Sequence, residues 1–201
     1  MASPFGTTRG PRSDAQRNRL RVVQAASEIF AEQGIRASVA DVAARAGVGN
    51  ATVYRSYPTK AELLAEVALL WLEQIERESA AAATADDPVA AFAELVEIVF
   101  ERLRGDRLAA DLLREGNLTD AVAQTRRRVE ANWTTALRRA ADAGAVREDV
   151  TYADLSVLIL GTAERLSELG VTDPARWRRT AQFVRAAIAV PGSSLPGPAP
   201  A

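Results

Sequence analysis

The chain has no cysteine and no histidine. Without them it cannot form disulfides, zinc–thiolate sites, a Cys nucleophile or a Ser-His-Asp triad. Without them a transition-metal site or effector is not expected either. Aromatics make up only 5% of the residues, and Lys60 is the single lysine. No apolar run approaches the roughly 20 residues that cross a bilayer. The opening "MASPFGTTRGPRSD" lacks the apolar core of a signal peptide. A cytoplasmic protein with no membrane partner and no cofactor is therefore expected. Between Ser13 and Val190 no long run alternates β-branched residues between turns, so no sheet is expected.

What is present favours helix. Ala and Leu are abundant, hydrophobic residues are 48% and charged residues 25% of the chain, the mix of a globular domain. Residues 1–13 and 191–201 are rich in Gly, Pro and Ser and read as a disordered arm and tail. Between them a string of helices is predicted. The first runs from Asp14 to Gln33, with Val22, Ala25, Ala26, Ile29 and Phe30 at helical spacing and Gly34 as its stop. The second starts at Ser38, with Asp41 three residues on in a capping-box pattern, and ends at Gly47. The third starts at Asn50, read as an N-cap, and ends before Pro58. The fourth runs from about Thr59 to Ala80, and "AAAATADDP" (Ala80–Pro88) reads as a loop. Further helices are expected over Val89–Arg104, Arg107–Glu115, Leu118–Ala143, Tyr152–Leu169 and Pro174–Val190.

The net charge of −1 hides an asymmetry: residues 1–60 sum to +5 and the remainder to −6. A basic first third on an acidic body suggests that one end meets a polyanion. The second and third helices are too short to stand alone. They make sense as a helix-turn-helix, with the break at Gly47-Val48-Gly49 letting two helices meet steeply. On the third helix Val53 and Tyr57 can pack inward on Val42 and Phe30. Asn50, Thr52, Tyr54, Arg55 and Ser56 are left on the outer arc, where such groups bond base edges and phosphates. Lys60 falls in the first turn of the fourth helix, where the dipole also favours an anion.

The stretch "SVADVAARAGVGNATVYRSYPTKAELL", preceded by "AASEIFAEQGIRAS", resembles the DNA-binding region of the TetR family of bacterial transcriptional regulators, over about Arg19 to Leu72. Ser38 stands where Thr is usual and Tyr57 where Phe is usual. The resemblance implies an all-α, TetR-like fold. A helix-turn-helix DNA-binding domain would occupy residues 14–60, and a helical effector-binding and dimerisation domain residues 61–190. It implies phosphate contacts from Ser38, Tyr54, Ser56 and Lys60, and base-facing positions at Asn50, Ala51, Thr52 and Arg55. The arm with Arg9, Arg12 and Arg17 could track the backbone or enter a minor groove, outside the motif. "ADAGAVREDVTYADLSVLILGTAE" is similar to a segment recurrent in many members, including a subgroup named after SbtR.

The resemblance further implies a homodimer, two copies packing as a four-helix bundle. The apolar stripes of the last two helices are the expected interface: Leu155, Leu158, Ile159 and Leu166 on one, Trp177, Phe183, Val184 and Ile188 on the other. The expected effector cavity is lined by Trp71, Phe92, Leu95, Val96, Val99, Phe100, Leu112, Trp133, Leu137 and Thr162. With few polar groups among them, an apolar or aromatic effector is expected. The leading reading is a dimeric repressor released from a double-stranded operator by a small molecule. An activator, or a regulator with no ligand, stays open. An enzyme has little to work with: Glu94, Glu97 and Glu101 fall on one helix face as a solvated face would. A non-specific architectural DNA binder would need a basic body, and residues 61–201 are acidic.

Overall fold

The computed structural model describes residues 11–115 and 119–192. Arg9 of the arm and residues 193–201 of the tail fall outside them, as do the side chain of Arg12 and the expected start of the central helix at Leu118.

Nine α-helices account for the described chain: α1 (Pro11–Gln33), α2 (Val39–Ala46), α3 (Asn50–Ser56), α4 (Lys60–Thr84), α5 (Pro88–Leu103), α6 (Arg107–Glu115), α7 (Asp120–Asp142), α8 (Tyr152–Glu168) and α9 (Pro174–Ile188). A 3₁₀ turn, Gly34–Arg36, joins α1 to α2. Three boundaries differ from expectation. Helix α1 begins at Pro11, inside the segment read as a disordered arm, because proline is tolerated in a first helical turn. Helix α4 continues through the alanines to Thr84, because Ala has the highest helix propensity and nothing there interrupts the turn. Asn50 is the first helical residue, and Gly49 takes the N-cap position. Among the described residues the only β pairing is one bridge, Val146 to Ala189, which pins the end of α9 to the turn after α7.

The caps are side-chain hydrogen bonds. Ser38 and Thr151 each form a full capping box, with Asp41 and Asp154 respectively. Thr59, Asp87, Thr119 and Asp173 cap α4, α5, α7 and α9. Each such cap is worth about 1 kcal/mol. Helices α4 and α7 lie side by side in the same direction, since Glu76 meets Arg128 and the Ala83 carbonyl accepts from Arg139.

Two apolar cores result. One, around Val22, Phe30, Val42, Val53 and Leu63, sits under α1–α3. The other, around Phe92, Phe100, Trp133, Leu155 and Trp177, fills the helical body. The first core does not stop at residue 60. It takes in Leu64, Val67 and Leu72 of α4, and Leu108, Leu112 and Val122 of α6 and α7. Helix α4 therefore belongs to both cores, its first half to one and Ile75 and Ala82 to the other.

Candidate nucleic-acid interface and interior cavity

The turn between α2 and α3 is built by a glycine and an arginine. Gly47 adopts φ 65°, the left-handed region open to glycine, and ends α2 with its N–H on the carbonyls of Ala43 and Ala44. The Arg21 guanidinium reaches over from α1 and donates to the carbonyl of Ala46 at 2.6 Å. It satisfies part of the helix end that the turn leaves open. Nothing in the local sequence marked Arg21 for this, because the contact spans 25 residues.

Val53 is 1% exposed and Tyr57 4%, so α3 is held by its inner edge. Two residues past Val53 the helix has turned through roughly half a circle, which sends Arg55 outward. Asn50, Ala51, Tyr54 and Arg55 are exposed, and Thr52 and Ser56 are half-buried at the margins. Ser38 is exposed at the start of α2, and Lys60 is half-buried at the start of α4. The hydroxyl of Ser38 is already engaged: it donates to Asp41 at 2.6 Å and accepts from the Asp41 N–H at 3.1 Å. The Ser56 hydroxyl donates to the Thr52 carbonyl at 3.4 Å.

The positive charge of this end is partly consumed internally. Arg45 pairs with Glu28 and Glu32 across α1–α2 at 2.9 and 3.0 Å. Those hydrogen bonds raise its pKa and lower that of Glu32. Arg19 pairs with Glu66 and lies 4.9 Å over the Tyr57 ring, a contact worth about 0.5–1 kcal/mol at such a site. Among the described residues Arg55 and Lys60 form no ion pair.

A cavity of about 220 Å³ opens between α4, α5, α6, α7 and α8. Of the residues expected to line it, Trp71, Val99, Leu112 and Trp133 do. Phe92, Leu95, Val96, Phe100, Leu137 and Thr162 do not. Phe92 stands edge-on behind Trp133, with ring centres 6.3 Å apart, and Phe100 stands edge-on to Trp177 at 6.4 Å. Leu95, Val96 and Leu137 fill the body core. The Thr162 hydroxyl folds back onto the carbonyls of Leu158 and Ile159. The wall also carries polar groups that sequence reasoning missed: Arg126 and Glu130 on α7, Tyr152 and Ser156 on α8. The signal was available, since Arg126 precedes Val129 and Trp133 by three and seven residues and so shares their helix face.

The terminal helices need a larger correction. Leu155 and Ile159 line the cavity. Leu166, Trp177, Val184 and Ile188 are buried inside this chain, Trp177 completely, with its indole N–H donating to the Val171 carbonyl at 2.8 Å. These six residues of the two stripes close the body's own core, while Leu158 and Phe183 do not. On the outer face stand Val157 at 71% exposure and Phe183 at 59%, with Leu158 half-buried. Gly161 lies among them in mid-helix, where an added Cβ would meet nothing within 4 Å.

Helix α6 touches both the cavity and the N-terminal unit. Asp106 caps it, accepting from the Ala109 N–H at 3.1 Å. Burial pushes the Asp106 carboxyl up, and the α6 amides and the Trp71 indole partly offset this. Ala109 and Leu112 face the cavity. Asp111, between them in sequence, accepts from the Ile35 N–H of the 3₁₀ turn at 2.9 Å.

The comparisons agree with this architecture. A family model described as bacterial regulatory proteins, tetR family, matches residues 22–67. One described as transcriptional regulator SbtR-like, C-terminal domain, matches residues 87–187. Nothing among curated proteins matches the chain. A TetR transcription regulatory protein from Mycobacterium vanbaalenii is 28% identical with a TM-score of 0.61, over 90% of this chain and 100% of that one. SmeT, the repressor of the Stenotrophomonas maltophilia multidrug efflux pump SmeDEF, is 26% identical with a TM-score of 0.68, over 94% and 98%. FadR of Bacillus subtilis, solved with stearoyl-CoA, shares the fold at 20% identity and a TM-score of 0.64, over 85% and 99%. Two family models thus cover the helix-turn-helix and the helical body, and the chain belongs to the TetR family of transcriptional regulators, with a C-terminal domain of the SbtR-like kind.

Proposed function

We propose that the protein is a dimeric repressor that leaves its operator when a small, largely apolar ligand fills the cavity. The observation that carries this reading is the double role of α6. Its Ala109 and Leu112 form part of the cavity wall, while its Asp111 holds the backbone of Ile35 beside the helix-turn-helix. Helix α4 runs the same way, from Trp71 and Ile75 at the cavity to Leu63 and Leu64 in the core shared with α1–α3. A ligand that widens the cavity pushes both elements and shifts the DNA-binding unit.

Base reading falls to Asn50, Ala51, Thr52 and Arg55, and phosphate contact to Tyr54, Ser56 and Lys60. Ser38 joins the phosphate contacts only by releasing its bond to Asp41. The dimer forms through the outer faces of α8 and α9, around Val157 and Phe183. Gly in a helix interior costs roughly 0.5–1 kcal/mol relative to Ala. Nothing inside the protomer requires it at position 161; a closely approaching partner helix does. Half-sites lie about 34–36 Å apart on B-DNA, so a displacement of a few ångströms in one protomer spoils simultaneous contact. A ligand preferring the released form about 100-fold supplies about 2.7 kcal/mol of bias. Repression is the favoured sign because SmeT, covered over nearly its full length, is a repressor.

The test is a gel shift with the purified protein and the DNA upstream of its own gene, repeated with hydrophobic and aromatic compounds. Retardation reversed by a compound that also quenches Trp fluorescence supports the reading. Retardation that no cavity-binding compound reverses overturns the release mechanism.

A further inference from the structure

We propose that the ligand this cavity takes is an organic carboxylate of about aromatic-ring size, with Arg126 as its counter-ion and the Tyr152 hydroxyl as a second donor. The inference rests on the regulatory reading above and specifies its ligand.

The chamber is divided. Trp71 and Trp133 supply two indoles, and aliphatic side chains from five helices complete an apolar wall. The polar groups are confined to α7 and α8: Arg126 and Glu130 are one turn apart, and so are Tyr152 and Ser156. A cavity near 150 Å³ with apolar walls holds a benzene, so about 220 Å³ admits a ring system with one substituent. Such a ligand places its ring between the indoles and its substituent among the polar groups.

The sign of the substituent follows from which charge has the most to gain. Arg126 is half-buried and desolvated, and burial lowers its pKa. Among the described residues no carboxylate lies within ion-pair distance of it, and its guanidinium donates only to the Leu112 carbonyl, a neutral acceptor. A guanidinium can fork two parallel hydrogen bonds onto a carboxylate, so several of its donors stand ready. Glu130 also faces the cavity, but it is exposed and keeps its water. A cationic ligand would gain little from Glu130 and would lie against Arg126. Burial first, and Glu130 after it, push the Tyr152 phenol up against the opposing pull of Arg126, so its hydroxyl keeps its proton and donates. Ser156 donates to the Ala153 carbonyl at 2.8 Å, leaving its oxygen as an acceptor and Arg126 and Tyr152 as the donors.

The contact of Arg126 with Leu112 gives the site a second consequence. Leu112 sits on α6, next to Asp111. A carboxylate that draws the guanidinium away from the Leu112 carbonyl releases one hold on α6 at the same moment that the ring fills the chamber.

The experiment is calorimetric titration of the full chain with 2-naphthoate, 2-naphthamide and 2-naphthylmethylammonium, without DNA. The expected result is that the carboxylate binds about tenfold or more tighter than the amide, the range of a hydrogen bond to a charged group, and that the ammonium binds weakest. In Arg126→Met the carboxylate loses more affinity than the amide and its preference disappears, and in Arg126→Lys part of the preference returns. Tyr152→Phe, which spares the Leu112 contact, weakens the carboxylate severalfold and the amide less. Circular dichroism checks that each variant is folded. The amide or ammonium binding as tightly as the carboxylate overturns the proposal, as does a preference that survives in Arg126→Met, or no binding by any of the three probes. The wild-type comparison needs no variant. A carboxylate preference without operator release leaves this assignment standing and sinks the regulatory reading; operator release by probes of any charge does the reverse.

Discussion

The Asp111 carboxylate accepts a 2.9 Å hydrogen bond from the backbone N–H of Ile35, joining a cavity-lining helix to the turn in front of the helix-turn-helix. The approach is close because position 34 has no side chain. A Cβ built on Gly34 would stand 2.2 Å from the nearer Asp111 oxygen, and Gly34 itself sits at φ 72°.

Gly34→Ala is therefore expected to lose about 1–2 kcal/mol from left-handed backbone alone, with the displacement of Asp111 in addition. For a chain of this size each kcal/mol lowers the melting temperature by about 2–4 °C. Asp111→Ala strands a half-buried N–H and costs about 1–3 kcal/mol. Differential scanning calorimetry checks both. If the contact carries the coupling, Asp111→Ala also weakens the ligand's effect on operator binding, with ligand affinity unchanged.

Arg55→Ala and Lys60→Ala separate reading from anchoring. Loss of Arg55 should cost about 1–3 kcal/mol at one base position and relax the sequence requirement there. Loss of Lys60 should weaken all sequences alike and reduce the salt slope by about one phosphate contact. Affinity measured on a panel of single-base operator variants at two salt concentrations decides. Uniform loss for both variants removes Arg55 from base reading.

Val157→Asp and Phe183→Asp place a charge on the outer face of α8 and α9, where the chain leaves the side chain exposed. The expected product is a folded monomer by sedimentation, with unchanged helical circular dichroism. Trp177→Ala should behave differently, costing about 3–5 kcal/mol as a core cavity whatever the oligomeric state. A Val157→Asp protein that stays dimeric moves the interface elsewhere.

Trp71 and Trp133 line the cavity, and Trp177, the third tryptophan, is buried between α5, α8 and α9. Ligand quenching of fluorescence should fall to near zero in the Trp71→Phe, Trp133→Phe double variant, with Trp177 reporting only the baseline. Quenching retained at wild-type size would put the ligand outside this chamber.

The two capping boxes carry an acid dependence. Hydrogen bonds from Ser38 and Thr151 hold the carboxyls of Asp41 and Asp154 below the usual range. Their folded pKa values lie under the unfolded value of about 3.9. Their stabilisation is therefore present above that value and lost as pH falls through the folded values. In Asp41→Asn, Asp154→Asn the acid limb of a denaturation-midpoint profile should be shallower, with the midpoint at neutral pH reduced. An unchanged limb would show that other carboxylates govern acid unfolding.

How much of this was legible beforehand depends on the distance over which the cause acts. Helix type, the capping box at Ser38, the Gly47 break and the inward Val53–Tyr57 edge are consequences of residues at most a few positions apart, and the sequence alone determined them. The alanine run is helical and not a loop, because Ala has the highest helix propensity and the breaker Pro88 comes only after it. The direction in which an apolar stripe faces is different. Leu166, Trp177, Val184 and Ile188 have the spacing of a buried face, and that spacing is identical whether the cover comes from the same chain or from another. Only the packing of α8 and α9 against α5 and α7 decided that they are internal. Likewise, which apolar residues border the empty volume is set by where α4, α5, α6, α7 and α8 fail to close on one another. Arg126 gained its significance from that gap. Arg21 and Asp111 act over 25 and 76 residues, and hydrogen bonds at such separations leave no periodic trace in a sequence, because they depend on where whole helices come to rest.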